Sequence, residues 1–169
     1  MNYTFSISTR YGDEYRIMLF DADISLLANS VQKIITEQCF DISEIMIVRE
    51  NGGNSTKPEI LHTITGKIAD LFAENEKLIL YYSCDDMNPI PSRNMRSTNK
   101  GLSVQEYRST LFSHIFDSYM DSHQVSGITN TPVIINGDGY TQFMHLIARD
   151  KHQSIVDLIK ADVIEGWGK

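Results

Sequence analysis

Apolar and polar residues alternate at the start of the chain, which predicts a β-hairpin. The alternating apolar residues are Tyr3, Phe5 and Ile7 before a turn at 11–13, and Tyr15, Ile17 and Leu19 after it. Beyond Asp23 the apolar residues fall at steps of three and four, which favours a helix over 24–35 with Asp23 as its cap. Several residues of that range are β-branched, so a strand there stays open.

The middle of the chain predicts a strand, a loop, a helix and a second strand. Residues 43–48 form a short apolar run, and the glycine-rich segment 50–58 has the composition of an exposed loop. The apolar residues of 60–72 recur with helical spacing. Residues 77–82 are apolar without alternation, so we expect this strand to lie in the middle of a sheet with both faces covered.

A capped helix is predicted after residue 102. Ser103 and Glu106 have capping-box spacing, and Leu102 and Tyr107 can form a hydrophobic staple. The predicted buried stripe consists of Val104, Tyr107, Leu111, Ile115 and Tyr119, widened by Phe112 and Phe116.

The last part of the chain predicts another hairpin and a final helix. Apolar runs at 133–135 and 143–147 flank the glycines of 137–139. A helical stripe follows at Ile155, Leu158, Ile159 and Val163. The whole order predicts an α+β fold, a mixed and largely antiparallel sheet with two terminal hairpins and about four helices. We expect a single domain over 1–169 and leave open a seam near 122–131.

Composition narrows the classes of partner. The chain has 169 residues and a formal net charge of -7, which makes nucleic-acid binding an unfavoured function. The start of the chain shows no basic segment followed by an apolar one, and no apolar run reaches membrane-spanning length. We therefore expect a cytoplasmic protein without a membrane contact.

Cys39 and Cys84 both have apolar neighbours, which favours two reduced and mostly buried thiols over a disulfide.

The segment 77–102 carries the candidate chemistry. Asp85 and Asp86 follow the predicted central strand, and Arg93, Arg96 and Lys100 follow in a loop broken by prolines. With Arg108 on the next helix, these cations form a local basic patch near a helix N-terminus, where phosphate or carboxylate groups bind well. The alternative interpretation is an internal network of ion pairs that fastens the loop.

The two aspartates support either a metal site or a structural role. Carboxylates suit divalent cations and general-base catalysis, but a metal site needs further acids, for which Glu74, Glu76 and Asp138 are candidates. The structural interpretation, which we favour, is that the aspartates pair with the loop. Cys84 as a nucleophile with an unplaced histidine is a remote alternative. We expect His114 and His145 to be core or edge residues and predict no cofactor.

Parts of the chain resemble an uncharacterised bacterial family described as a domain of unknown function. The resemblance is carried by three segments, EYRIMLF, HTITGKIADLF and LILYYSCDD, and by Arg93, Arg96 and the aromatic helix after them. The resemblance covers residues 1–20 and 60–120. It implies an arginine-rich step after the Cys-Asp pair and then an aromatic helix. In this chain the predicted loop is longer than in that family, and the segment from Asp86 to Arg93 contains two prolines. The family has no activity to carry over, so the resemblance points to this loop without giving a mechanism.

These features favour a non-catalytic interaction module of the accessory, inhibitor or immunity type. Its basic loop is expected to bind an acidic or phosphate-bearing partner, most simply another protein, or its acidic surface to bind a basic one. Two alternatives stay open. One is a metal-dependent enzyme that acts on a phosphate-containing substrate through Asp85 and Asp86. The other is a small nucleotide sensor that uses the arginines alone. The oligomeric state is not predicted.

Overall fold

A computed structural model describes residues 3–52, 58–84 and 101–167. The described residues form six strands, β1 Tyr3–Ser8, β2 Glu14–Asp21, β3 Asp41–Asn51, β4 Leu78–Ser83, β5 Ile128–Gly137 and β6 Tyr140–Arg149. They also form four α-helices, α1 Asn29–Glu37, α2 Pro58–Glu74, α3 Val104–Ser122 and α4 Gln153–Trp167. This is the α+β fold predicted from the sequence.

The strands form one mixed sheet in the order β1-β2-β3-β4-β6-β5. Among the described strands, β3 and β4 are the only parallel pair, and the remaining neighbours are antiparallel. Both predicted hairpins are present, as β1–β2 and β5–β6. The apolar strand β4 lies between β3 and β6, and its Leu78, Ile79 and Leu80 are fully buried, so the prediction of a central strand is confirmed.

Two hydrophobic cores lie on opposite faces of the sheet. One is formed by α2 and α3 with β1, β2, β3, β4 and Ile147 of β6, and it includes Phe72 and Phe116. The other is formed by α1 and α4 with β4, β5, β6 and the start of β3 at Ile42. Successive residues of a strand point to opposite faces, so Leu80 enters the first core and Ile79 the second.

The range 24–35 forms two helical pieces and no strand, so the helical alternative is right, but these pieces are not the single helix predicted from Asp23. Asp23 caps a 3₁₀ turn, Ile24–Leu26, by accepting a hydrogen bond from the Ser25 backbone N–H at 3.0 Å. The backbone then becomes extended at Leu27, and α1 begins at Asn29. The spacing of the apolar residues correctly predicted helical structure, but it does not reveal the interruption between the two helical pieces.

Two predicted buried stripes were partly wrong. On α3 the buried residues are Ser109, Phe116 and Met120, while Leu111 is exposed. On α4 Val156 is buried in place of Leu158, which is exposed. In both helices the apolar residues exceed one face, so the packing against the sheet decides which of them become buried.

The two cysteines differ in their burial. Cys84 is buried as predicted, but Cys39 is exposed, and no disulfide joins the two.

The range 122–131 includes the first residues of β5, which pairs with β6 from Ile128 to Gly137. No helix in the described ranges is long and apolar enough to cross a membrane.

Candidate functional site

Most of the predicted site residues fall outside the described part of the chain. Asp85, Asp86, Arg93, Arg96 and Lys100 all lie between Cys84, where one described range ends, and Gly101, where the next begins. Their proposed roles therefore stay predictions.

Arg108 is the member of the predicted basic patch that the structure describes. It is half-buried on α3. The start of that helix is as predicted, because the Ser103 side chain accepts a hydrogen bond from the Glu106 N–H at 3.1 Å. The local capping signal thus placed the helix N-terminus correctly next to the candidate loop.

The described residues include the acids proposed to complete a metal site, but not Asp85 and Asp86. They contain no group of three or more His, Cys, Asp or Glu side chains that is arranged to hold a metal ion. Glu76, one of the acids proposed to complete the site, forms an ion pair with Lys151, which lowers the pKa of the Glu76 carboxyl group. Asp138, another of those acids, lies in the turn between β5 and β6.

His145 is a fully buried histidine with one unsatisfied nitrogen. It lies on β6 beside the stacked rings of Phe112 and Tyr82, and its ring centroid is 4.9 Å from that of Phe112 and 6.2 Å from that of Tyr82. Its Nδ1 lies 3.0 Å from the Asn130 Oδ1, so that Nδ1 carries the proton and donates it. Its Nε2 is buried and has no hydrogen-bond partner. Burial lowers the pKa of His145 to about 4, which keeps the ring neutral.

Both histidines were predicted to be core or edge residues. His145 lies in the core, whereas His114 is exposed. The sequence reasoning missed the partner Asn130, which is held in turn by a 3.3 Å hydrogen bond to the Ser113 hydroxyl. Asn130 lies on β5 and Ser113 on α3, so no local spacing signals the contact. The register of β5 against β6 is what brings them to His145.

Cys84 and His145 do not form a catalytic pair. Cys84 follows β4 and its backbone N–H donates to the Phe143 carbonyl at 2.9 Å, so its side chain lies on the same face of the sheet as that of His145. The His145 Nε2 nevertheless makes no hydrogen bond. A thiol needs a base within hydrogen-bond reach to become a strong nucleophile, so this pair does not support catalysis.

The most distinctive described surface is a stretch of bare sheet. Helices α1 and α4 cover β4, β5 and β6 on their side, but they reach β3 only at Ile42. On that same side of β2 and β3, the centre consists of four apolar residues, Met18, Phe20, Met46 and Val48. Three of them are exposed, Met46 by 42%, Phe20 by 39% and Val48 by 36%. We call this surface the open sheet face.

The register of β2 against β3 makes the open sheet face continuous. Met18 lies opposite Met46, and Arg16 lies opposite Val48. Phe20 lies opposite Glu44 and diagonal to Met46, and Val48 lies diagonal to Met18. Opposite residues of an antiparallel pair have Cβ atoms about 5 Å apart, and diagonal neighbours at about 7–8 Å are still within reach of long or aromatic side chains, so the four apolar residues form one patch. The strand β1 extends this face with the small hydroxyl side chains of Thr4, Ser6 and Ser8.

Charged residues around the apolar centre give the open sheet face a negative balance. It carries the carboxylates of Glu14, Glu44 and Glu50 and one guanidinium, that of Arg16. Arg16 and Glu50 form an ion pair at 2.6 Å. The pKa of Tyr81 is raised above its ordinary value, first by burial and then by its hydrogen bond to Glu44. Glu44 is thereby fixed at the border between the open face and the covered part of the sheet.

Comparison of this chain with protein-family models, with curated proteins and with solved structures gives no match. The resemblance to the bacterial family and the function suggested from the sequence therefore stay predictions.

Proposed function

We propose that this protein is a non-catalytic interaction module and that its open sheet face binds a basic protein. The observation that carries the proposal is the apolar centre of that face, where Phe20, Met46 and Val48 are exposed on two neighbouring strands. A contiguous exposed apolar patch with a charged rim is typical of a protein-binding surface.

The shape of the face favours a macromolecule over a small ligand. Small-molecule sites are concave and surround most of the ligand. The open sheet face is instead formed by neighbouring strands with alternating side chains, and its members lie on β2 and β3 without a described helix above them. A partner that lays its own apolar side chains on Met46 and Phe20 buries the most area.

Charge selects a basic partner. The chain carries a formal net charge of -7, and the open face itself has three carboxylates against one guanidinium. Complementary charges raise the association rate and exclude partners of like charge. An accessory, inhibitor or immunity-type role in the cytoplasm, with a basic target protein, fits these features.

The loop that holds Arg93 and Arg96 is the competing contact within the same class of function. The parallel strands β3 and β4 bring their carboxyl ends to one edge of the sheet, and Glu44 lies opposite Tyr81 near the end of β4. Cys84, the last described residue before the predicted basic segment, follows β4 at that edge. The loop would bind an acidic or phosphate-bearing partner, so its partner differs in charge from the partner of the open sheet face.

Paired variants test the open face directly. Met46→Lys places a cation in the middle of the proposed contact, and Ile134→Lys is the matched control. Ile134 is a similarly exposed apolar strand residue on β5, and it lies on the opposite face of the sheet because its neighbours Val133 and Ile135 enter the core of α1 and α4. Proteins retained from a lysate by the wild type and the control, but lost by Met46→Lys, are then purified and their affinities measured.

We expect a basic partner whose dissociation constant rises at least about tenfold with Met46→Lys and little with Ile134→Lys, since one central apolar side chain contributes on the order of 1–2 kcal/mol. The affinity should fall as salt is raised. An acidic partner, or binding that Arg93→Glu/Arg96→Glu abolishes and Met46→Lys preserves, would instead place the function in the loop. If no protein distinguishes the two lysine variants, the proposal is wrong. Binding of inorganic phosphate or a nucleotide that the double Arg variant abolishes would favour the enzyme or sensor alternatives.

A further inference from the structure

The two edges of the sheet are built differently. At the β5 edge, Pro132 lies in the middle of the strand and has no N–H to offer another strand. The Lys160 side chain from α4 donates to the Pro132 carbonyl at 3.2 Å, so an acceptor of that strand is also occupied. A proline and a lysine on an edge strand are among the features that prevent pairing with another chain.

The β1 edge has none of these features among its described residues. The strand Tyr3–Ser8 reads YTFSIS and contains no proline and no charged residue. Its register with β2 runs without a bulge from Tyr3 opposite Leu19 to Ser8 opposite Glu14. The backbone groups on the outer side of a regular edge strand are a template for a further strand.

The pattern of β1 is complementary to itself. When two copies of a strand pair antiparallel about a two-fold axis perpendicular to the sheet, residues of the same face lie opposite each other. An axis at Phe5 places Phe5 opposite its own copy and Thr4 opposite Ser6. An axis at Ser6 places Phe5 opposite Ile7. In both registers aromatic or aliphatic side chains meet on the face of α2, and hydroxyl groups meet on the other face. Both kinds of cross-strand pair are favourable.

We propose that β1 pairs antiparallel with β1 of a second copy of this chain, which joins the two six-stranded sheets into one. Charge explains why the contact is made here. Two copies that each carry a net charge of -7 repel each other, and β1 brings no further charge to the contact. The perpendicular axis keeps both open sheet faces on one side of the joined sheet. The proposal goes beyond the proposed function and does not depend on it.

The test is the mass of the full chain in solution, measured by sedimentation equilibrium for the wild type and for Ser6→Lys, Ser6→Glu and an equimolar mixture of the two. Ser6 is exposed on the hydroxyl face of β1, so a long charged side chain fits there without disturbing the core. Ser154→Lys, at an exposed serine of α4, is the matched control. Circular dichroism melting verifies that each variant is folded.

We expect the wild type and Ser154→Lys to have twice the 19.2 kDa mass of one chain. Each Ser6 variant should dissociate at least about tenfold more readily, because the two like charges lie opposite each other with the axis at Ser6 and diagonal to each other with the axis at Phe5. The mixture should regain the doubled mass. Raising salt from about 0.02 M to about 0.2 M should strengthen the wild-type dimer by screening its repulsion, opposite to the effect on a basic partner. A monomeric wild type overturns the proposal, and so does a dimer that neither Ser6 variant weakens.

Discussion

At the scale of single residues, His145 makes stability depend on pH. Its pKa is lowered to about 4 by burial, whereas an unfolded histidine titrates near 6.5. As the pH falls below about 6.5, His145 becomes protonated in the unfolded chain but stays neutral in the folded chain. The free energy of unfolding therefore falls. The stability that the neutral His145 ring contributes is fully present above about pH 6.5 and is lost progressively as the pH falls to about 4. Below about pH 4 it changes no further.

Urea denaturation from pH 7 to pH 4 measures this effect, with His145→Gln as the variant without the titration. We expect the wild type to lose up to about 1.4 kcal/mol per pH unit more than the variant across the window. Equal slopes for the two proteins would show that the ring accepts a proton in the folded state, for example through water at Nε2.

Gly52 gives the second prediction at this scale. Its φ angle is +97°, and a methyl group added there overlaps the Asp13 carboxyl group. Gly12 also has a positive φ, +81°, but open space surrounds it. Gly12→Ala should therefore cost only the backbone strain of about 1–2 kcal/mol, and Gly52→Ala should cost more by about 1–3 kcal/mol of overlap. Chemical denaturation of both variants measures these losses in the free energy of unfolding. Equal losses for the two variants would refute the close approach of Gly52 to Asp13.

At the scale of elements, the end of α1 explains why Cys39 is exposed rather than buried. Cys39 has a φ of +54°, the Phe40 N–H donates to the Ile35 carbonyl at 3.0 Å, and the Cys39 N–H donates to the Thr36 carbonyl at 3.1 Å. These two bonds form a Schellman motif, in which the left-handed residue is usually glycine. The apolar neighbours of Cys39 in the sequence do not show that the residue itself occupies this position.

The motif predicts a stabilising substitution. Cys39→Gly should raise the free energy of unfolding by about 1 kcal/mol, because glycine adopts the left-handed conformation without a clash of its Cβ. Gln38→Gly is the control, since Gln38 has a φ of -92° and gains nothing from glycine. Thermal melting of the two variants measures the difference. A loss of stability with Cys39→Gly would contradict the assignment of the cap.

Local signals predicted the elements better than their buried faces. The Ser103–Glu106 spacing placed the start of α3, because a cap depends on neighbouring residues alone. The stripe of α3 was partly wrong, because Leu111 and Phe116 are equally apolar and only the position of the sheet decides which one is buried. For the same reason the Asn130–His145 contact, which joins two strands, was not predicted.

At the scale of the whole molecule, the order of elements predicted the α+β class and the central place of β4. The open sheet face was not predictable in the same way. Met46 and Val48 belong to an apolar run that reads as a buried strand, and their exposure depends on α1 and α4 covering only the far part of the sheet. The predicted acid–arginine loop lies outside the described residues, so the two candidate surfaces have to be separated by experiment.

Hydroxyl-radical footprinting of the protein alone and bound to the purified basic partner tests the central claim most directly. Met46 is exposed and has a reactive thioether, and Tyr140, which is exposed by 50% in the β5–β6 hairpin, is an internal control in the same sample. We predict that the partner lowers the labelling of Met46 and Phe20 several-fold and leaves that of Tyr140 unchanged. Unchanged labelling of Met46 in a saturated complex would contradict the claim that the open sheet face is the binding surface.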